Sequence, residues 1–479
     1  MTNSKPGNKT RTIIVLGMFS FLTSLAGSSV NLGLPQISSQ LGISSGLSTW
    51  IVQSGLIGTT ILLVLFGHLG DLLSKEYIFI NGGLLFIIGS AINGVALSFW
   101  VLIVGRIVQS IGSAMIMANS MGIVSETFDD HSRAEALSLI SVFVSVGSIS
   151  GPAIGGLILS IASWRWIFLI NVPVGLIILL FGCRALPIPK ETWNEVRSKL
   201  RGANWKGQNL FTLGIIIFFL SSPFFTSTNR NFALGTAFLV VGIIITVYSF
   251  IQDDHAKNPW ISPSVLRNSA FMVSVSALFL VMAVNAVSNI LLPFYLQSFG
   301  RMTAFESGML MMLQSVIMLM ASPISGYFAD RVNRNVLTMA GLIVLVISQI
   351  GYMMYPVTMN LTLIIIPIVI NGIGMALFLS PNNAITMGTV DASLSGIAGS
   401  FNSFARTLGM TIGISMGSAM LFAQLPGVTR VSPSLGAHFV HAFSNVFLAA
   451  TFVSLIAFII VWLRFNAGRK ESRVKGTTN

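Results

Sequence analysis

Residues Val144 to Gly175 read VSVGSISGPAIGGLILSIASWRWIFLINVPVG, and their composition decides what kind of fold the chain adopts. Gly147, Gly151 and Gly155 recur every fourth residue, with Gly156 beside the last of them. On a helix that spacing clears one face of side chains, so a second helix backbone can approach closely. Pro152 removes one backbone donor and bends the helix there. In water such a glycine-rich segment is a poor helix. Lipid offers the backbone no competing partner, so the same residues close all their hydrogen bonds internally. The stretch reads as a kinked, closely packed transmembrane helix, a short turn at Trp164–Trp166, and another span.

Composition agrees. Charged residues are 8% of 479 and hydrophobic ones 53%, against about 25% charged in soluble domains. The chain is therefore an all-α polytopic membrane protein. Its net charge of +12 raises nucleic acid as a partner, but the placement of the charge excludes it. Lys5, Lys9 and Arg11 precede the first apolar run, a basic cluster lies between Arg184 and Lys206, and another closes the chain from Arg464 to Lys475. The single cysteine, Cys183, excludes an internal disulfide. The first apolar run is long enough to span and is followed by more spans, so no cleavable signal is expected.

Hydropathy predicts 14 transmembrane helices, each near the roughly 20 residues a tilted span needs. They cover 12–35, 47–68, 77–98, 100–125, 135–160, 166–186, 207–225, 232–251, 269–298, 306–328, 336–356, 361–389, 396–423 and 441–464. With that map, 20 of the 26 Lys and Arg lie on the side of the termini and four opposite, at Arg165, Arg230, Arg301 and Arg430. The remaining two, Arg106 and Arg406, fall inside spans. The positive-inside rule then puts both termini in the cytoplasm of a multi-pass protein of the cell membrane. A loop repeat supports two halves. Gly67-His-Leu-Gly-Asp71-Leu-Leu-Ser-Lys75-Glu76 follows the second span, and Gly326-Tyr-Phe-Ala-Asp330-Arg331-Val-Asn-Arg334-Asn335 follows the tenth.

These segments carry a resemblance. Gly147-x-x-x-Gly151-Pro152-x-x-Gly155-Gly156 resembles the antiporter motif in the fifth span of major facilitator superfamily exporters. Trp164-Arg-Trp-Ile-Phe-Leu-Ile-Asn-Val-Pro173 resembles the join between spans 5 and 6 of the fourteen-span drug/proton antiporters, the QacA/EmrB type. The repeated loops resemble motif A of the superfamily, the first copy departing at Leu72 and Ser74. Gly105-Arg106-Ile-Val-Gln109-Ser-Ile-Gly112 resembles its motif B, and Ser395-Gly396, Asn402, Arg406 and Gly409 its thirteenth span. The resemblance covers about residues 12–464 and implies a major facilitator fold, two six-helix halves plus two inserted helices. The expected organisation is a cytoplasmic N-terminus at 1–11, an N-terminal six-helix bundle at 12–186, and a linker with two extra transmembrane helices at 187–268. A C-terminal six-helix bundle follows at 269–464, then a cytoplasmic tail at 465–479. Segment 187–206 reads either as a solvated linker or as an amphipathic helix on anionic headgroups.

No catalytic constellation is present, so the chain is not expected to be an enzyme. It offers no nucleotide-binding glycine loop, and no cofactor is expected. His438 and His441 make an incomplete metal set, so no metal is expected either. An ionisable residue in a span is a functional candidate by default, which singles out Arg106 and Arg406. Each either contacts substrate or braces helices. The loop repeat suggests a gating relay of Asp71, Lys75 and Glu126 in the first half and Asp330, Arg331, Arg334 and Asp391 in the second; solvated loop charge is the alternative.

Leu25-Ala-Gly-Ser-Ser-Val-Asn31-Leu-Gly-Leu-Pro35 resembles the family's span-1 motif, but Ala26 stands where the family has its membrane-embedded aspartate. None of the 14 acidic residues lies near the middle of a span. Proton coupling then falls to Glu306, with Glu126 and Asp391 behind it. A substrate cavity at the midplane would draw on Asn31, Gln53, Arg106, Asn285, Asn289, Gln314, Asn382 and Arg406. Of 22 methionines, 17 lie from Met272 onward, either lining an adaptable cavity or filling lipid-facing positions.

The reading is a monomeric exporter of small amphipathic substrates, working in the bilayer by proton antiport with alternating access, without nucleic acid. Export of an anionic or lipid-like metabolite is the alternative within transport. A non-transporting receptor or scaffold is the alternative outside it.

Overall fold

The computed structural model describes residues 6–128, 130–186, 205–221, 224, 231–255, 267–390 and 395–476. Segment 187–204, nearly all of the stretch 187–206 read as solvated linker or amphipathic helix, lies outside the described residues. Among them there is no strand, and fourteen helices of 15 residues or more follow one another. They are α1 (Pro6–Leu41), α2 (Ser45–Leu72), α3 (Lys75–Gly94), α4 (Phe99–Thr127), α5 (Asp130–Ile161), α6 (Asn171–Ala185) and α7 (Trp205–Leu220). The remainder are α8 (Phe232–Asp254), α9 (Ser269–Pro293), α10 (Ala304–Arg331), α11 (Arg334–Met353), α12 (Leu361–Gly388), α13 (Ser395–Ala423) and α14 (Gly436–Gly476). A one-turn helix, Trp166–Leu169, leads into α6.

Among the described residues, twelve helices are long and apolar enough to cross a membrane. The exceptions have physical reasons. The α7 helix ends at Leu220, short of the expected 225, and holds only 16 residues. The α13 helix is long enough, but Asn402, Arg406 and its many Ser, Thr and Gly residues lower its hydropathy. The expected ninth span is also not one α-helix. At Pro293, which has no N–H, it passes into a π-helix, Phe294–Phe299, whose wider turn is closed by Gly300 N–H donating to Tyr295 O at 2.8 Å. The last helix runs well past the expected 464.

Helix starts follow capping chemistry. Ser44, Ser74 and Ser98 accept from the backbone N–H of Leu47, Tyr77 and Val101, and Asn231, Asn268, Asn333 and Asn360 do the same work for α8, α9, α11 and α12. Outward faces are apolar as well. Trp100 is 73% exposed, and Ile177, Leu180 and Phe181 of α6 are exposed together. Water would penalise such a belt, whereas hydrocarbon accepts it.

The chain divides into two compact units. One contains Met1–Ser262 with Thr303–Gly308, the other Pro263–Met302 with Met309–Asn479. In the first, α3 packs on α4, α1 on α5, and α2 on α4; α7 pairs with α8 and touches α2. In the second, α11 packs on α12, α9 on α13, and α11 on α14. The pairings repeat in register. A Cβ at Gly82 would meet Gly112 O at 3.0 Å, and one at Gly341 would meet Gly374 O at the same 3.0 Å. Each unit has its own apolar core, around Phe19, Phe79 and Phe86 in the first and around Leu278, Leu342 and Phe378 in the second.

Candidate functional site

The glycines of α5 lie against α1. Gly147 faces the carbonyl of Phe21, Gly151 faces Ser28, and a Cβ at Gly155 would sit 3.2 Å from Ser29 Cβ. The Ser29 hydroxyl donates to Gly151 O at 3.1 Å and to Leu25 O at 2.6 Å, a polar tie that only a backbone approach this close permits. Pro152 lies inside the helix beside this tie. Its carbonyl faces Gly308, and a Cβ at Gly156 would meet Ala304 O at 2.8 Å, so the first turn of α10 docks on the kink. The turn after α5 is pinned too. Buried Trp164 donates its indole N–H to Gln40 Oε1 at 2.9 Å, and Arg165 lies over that ring while donating to Ala96 O at 3.1 Å.

The second unit contains a matching crossing that the sequence reading did not pick out. Gly409 faces Phe279 O, Gly413 faces Ala283 O, and a Cβ at Gly417 would sit 3.0 Å from Val287. The four-residue spacing was present as a signal, but no proline or second glycine pair marked it.

Ala26 is 3% exposed and packs in the apolar core with Leu22 and Leu25. Arg106, on α4, is 6% exposed and held by neutral groups. Its Nε donates to Ile51 O at 2.9 Å and its Nη1 to Gln109 Oε1 at 2.7 Å. Gln109 in turn donates to Ser90 Oγ at 2.8 Å and accepts from Asn93 Nδ2 at 3.1 Å. One arginine thereby joins α2, α3 and α4. Ser90, Asn93 and Gln109 were not among the expected site residues; a Ser and an Asn three apart on an apolar helix were the available hint.

Arg406 differs. Its side chain is part-buried on α13, and no hydrogen bond or ion pair with the described residues engages it. Asn402, one turn before it, reaches Asn383 Oδ1 at 3.4 Å, and its own Oδ1 is buried without a partner. Of the other expected cavity residues, Asn285, Asn289 and Gln314 come together: Gln314 donates to Asn285 Oδ1 at 2.7 Å and Asn289 to Asn285 O at 3.0 Å. Asn382 stands apart, donating to Ser274 O at 3.2 Å. In the first unit Asn31 and Gln53 are buried, each with a side-chain oxygen lacking a partner. The methionines of α10 share no single face: Met311 is buried, whereas Met309 and Met320 are exposed.

Among the expected relay residues, Lys75 and Glu126 form an ion pair at 2.5 Å, with the Lys75 stem laid across Gly122. Arg331 stacks over Tyr327 at 4.0 Å, and Arg334 opens α11. The side chains of Asp71 and Asp330, and all of Asp391, lie outside the described residues. Glu306 closes a capping box on the exposed start of α10. Its Oε2 accepts from Thr303 N and Thr303 Oγ1, both at 2.9 Å, while its N–H donates to Thr303 Oγ1 at 3.2 Å. A further polar joint went unforeseen: Arg464 of α14 donates to Ser274 Oγ of α9 and, at 2.7 Å, to Asn335 Oδ1 of α11.

Residues 16–414 match the family model described as Major Facilitator Superfamily. The chain belongs to the major facilitator superfamily. Within it, the riboflavin transporter RibZ of Clostridioides difficile strain 630 is 28% identical, over 93% of this chain and 95% of that one. The multidrug export protein EmrB of Escherichia coli K12 is 27% identical, over 85% and 79%. A crystal structure of a bacterial homologue of the human lysosomal transporter Spinster, described as inward-facing and unoccupied, has the same fold, with a TM-score of 0.65 at 14% identity over 96% of this chain and 97% of that one. As a major facilitator protein the chain is a membrane transporter.

Proposed function

We propose that this transporter exports amphipathic small molecules across the bacterial cell membrane by alternating access, with both termini cytoplasmic. The observation that carries the reading is the crossing of α5 on α1, where Gly147, Gly151 and Gly155 face α1 around Pro152. Its glycines and proline have the spacing of the family's antiporter motif. The multidrug exporter among the relatives, similar along most of the chain, supports the same direction of transport. Proton antiport is the coupling that the resemblance implies, with Glu306, Glu126 and Asp391 as the acids at hand. The test is substrate-induced proton flux in proteoliposomes challenged with cationic, neutral and anionic amphipaths. Proton release that follows substrate addition supports antiport, and its absence alongside substrate movement removes it.

A second reading is export of an anionic or lipid-like metabolite. It is favoured by Arg406 without a partner among the described residues and by Ala26 in place of an acid. The relative named for riboflavin, a metabolite rather than a drug, points the same way.

A further inference from the structure

We infer that Arg406 is the docking point for the charged end of a monovalent amphipathic anion, and that the membrane potential, rather than proton exchange, drives that anion outward. The inference rests on the second reading above and names its substrate class and driving force.

Four observations converge. Arg106 is occupied: its Nε and Nη1 are held by Ile51 O and Gln109 Oε1, so it has little left to offer a ligand. Arg406 has no such ties, and its side chain remains partly accessible. Among the described residues its own helix and two neighbours offer no carboxylate: Arg406 is the only ionisable residue of α13, and α9 and α12 carry none. Beside it, on the same helical face, stands Asn402, a neutral side chain rather than an acid. A guanidinium inside a span is costly unless a counter-charge accompanies it. An anionic headgroup supplies that counter-charge, and its planar oxygens suit the guanidinium fork. A cation meets repulsion at Arg406 and finds no acid at Ala26.

The driving force follows from charge balance. The loaded carrier holds Arg406 and the anion as a neutral pair, and the empty carrier returns with one positive charge. Either way, one negative charge leaves the cell per cycle. An inside-negative potential favours this by about fifty-fold in concentration ratio per 100 mV. No proton has to bind or leave, so the absence of an acid near the middle of any span ceases to be an obstacle.

The experiment uses the full chain in proteoliposomes and three probes: anilinonaphthalene sulfonate, its uncharged analogue phenylnaphthylamine, and the cation ethidium. A potassium gradient with valinomycin sets the potential at equal pH, or a pH gradient is imposed at zero potential, with protein-free liposomes as the baseline. The expected result is accumulation of the sulfonate on the positive side under the potential alone. Arg406→Gln should lower that flux by about tenfold or more while Arg406→Lys, which keeps the charge but loses the fork, retains part of it. Folding of both variants is checked by thermal midpoint and by helical content from circular dichroism. Sulfonate flux that needs the pH gradient, that equals baseline while another probe moves, or that persists in Arg406→Gln overturns this proposal and leaves the exporter reading standing. If no probe moves under either gradient, the exporter reading of amphipathic compounds falls and takes this proposal with it.

Discussion

Arg106 and Arg406 are each an arginine set inside an otherwise apolar stretch of helix, one per unit, and only their partners tell them apart. Arg106 is clamped by a carbonyl of α2 and a glutamine that reaches two residues of α3. Arg406 has no described partner of either kind. The repeat sharpens the contrast. In the register set by Gly82 with Gly112 and Gly341 with Gly374, the second unit has Ile368 where the first has Arg106. Around Ile368 it keeps neutral polar groups: Gln349 and Asn371 are fully buried with both amide atoms unpartnered, and Tyr352 is buried beside them. The second unit thus retains the neutral half of the network and carries its cation on α13 instead. Burial of a charge therefore says little about its role; what the charge is bonded to says much more.

The largest effect expected breaks the satisfied arginine. Arg106→Leu takes a donor from Gln109 Oε1 and from the Ile51 carbonyl and should cost about 1–3 kcal/mol for each buried acceptor left short, read as a fall in expression or in the thermal midpoint. Arg406→Leu should leave stability within about 1 kcal/mol or raise it, because an unpaired charge is removed from a span. Equal losses in the two variants would erase the distinction between a brace and a docking group.

Next come the two glycine crossings, which differ in polarity as the arginines do. Gly151→Leu drives a branched side chain into Ser28 and opens the Ser29 tie, and Gly413→Leu drives one into the α9 backbone at Ala283. Overpacking of this kind costs typically about 1–3 kcal/mol. Transport should fall by more than abundance in both variants, since a close crossing that cannot re-form in both conformations blocks the cycle. Unchanged efflux in Gly151→Leu at normal abundance would end the close-approach argument for α5.

A smaller effect is expected at the loop charges. Lys75 is largely covered while Glu126 is 57% exposed, so their pair should contribute under about 1 kcal/mol to stability. Glu126→Gln and, in the second loop, Asp330→Asn should leave surface abundance near normal and slow transport. A matched fall in abundance and transport would reduce both loops to solvated charge.

Much of this contrast was legible in the sequence, and some of it was not. The glycines of α5 were readable because Pro152 and Gly156 broke the ordinary pattern of an apolar helix. The equivalent glycines of α13 follow the same spacing without those marks. Ala26 was visible as a missing acid, and the structure adds that its place is filled by apolar core. Arg106 could be flagged as costly, but its rescue depends on Ile51, Ser90 and Gln109, which lie on three helices. The joint of Arg464 with Ser274 and Asn335 is of the same kind, 190 residues apart on one side and 129 on the other. Periodicity reports which face a residue occupies and carries no information about which distant helix supplies its partner.

The smallest effect expected is at Glu306, and it separates capping from coupling. The carboxylate accepts from both Thr303 N and Thr303 Oγ1 while its own N–H is satisfied by that hydroxyl, which accounts for its place at the first turn of α10 without any transported proton. Glutamine serves a capping box as well as glutamate does. Glu306→Gln therefore keeps the cap and removes the titrating group, whereas Glu306→Ala removes both. If Glu306 only caps, Glu306→Gln should match the wild type in thermal midpoint and in flux, and Glu306→Ala should have a slightly lower midpoint. If Glu306 couples protons, both variants should lose substrate-induced proton release equally, whatever their midpoints. The two readings thus diverge in one measurement on a single pair of proteins. An unimpaired proton flux in Glu306→Gln would leave Glu126 and Asp391 as the remaining acids for antiport, or leave the anion carried by Arg406 to move without one.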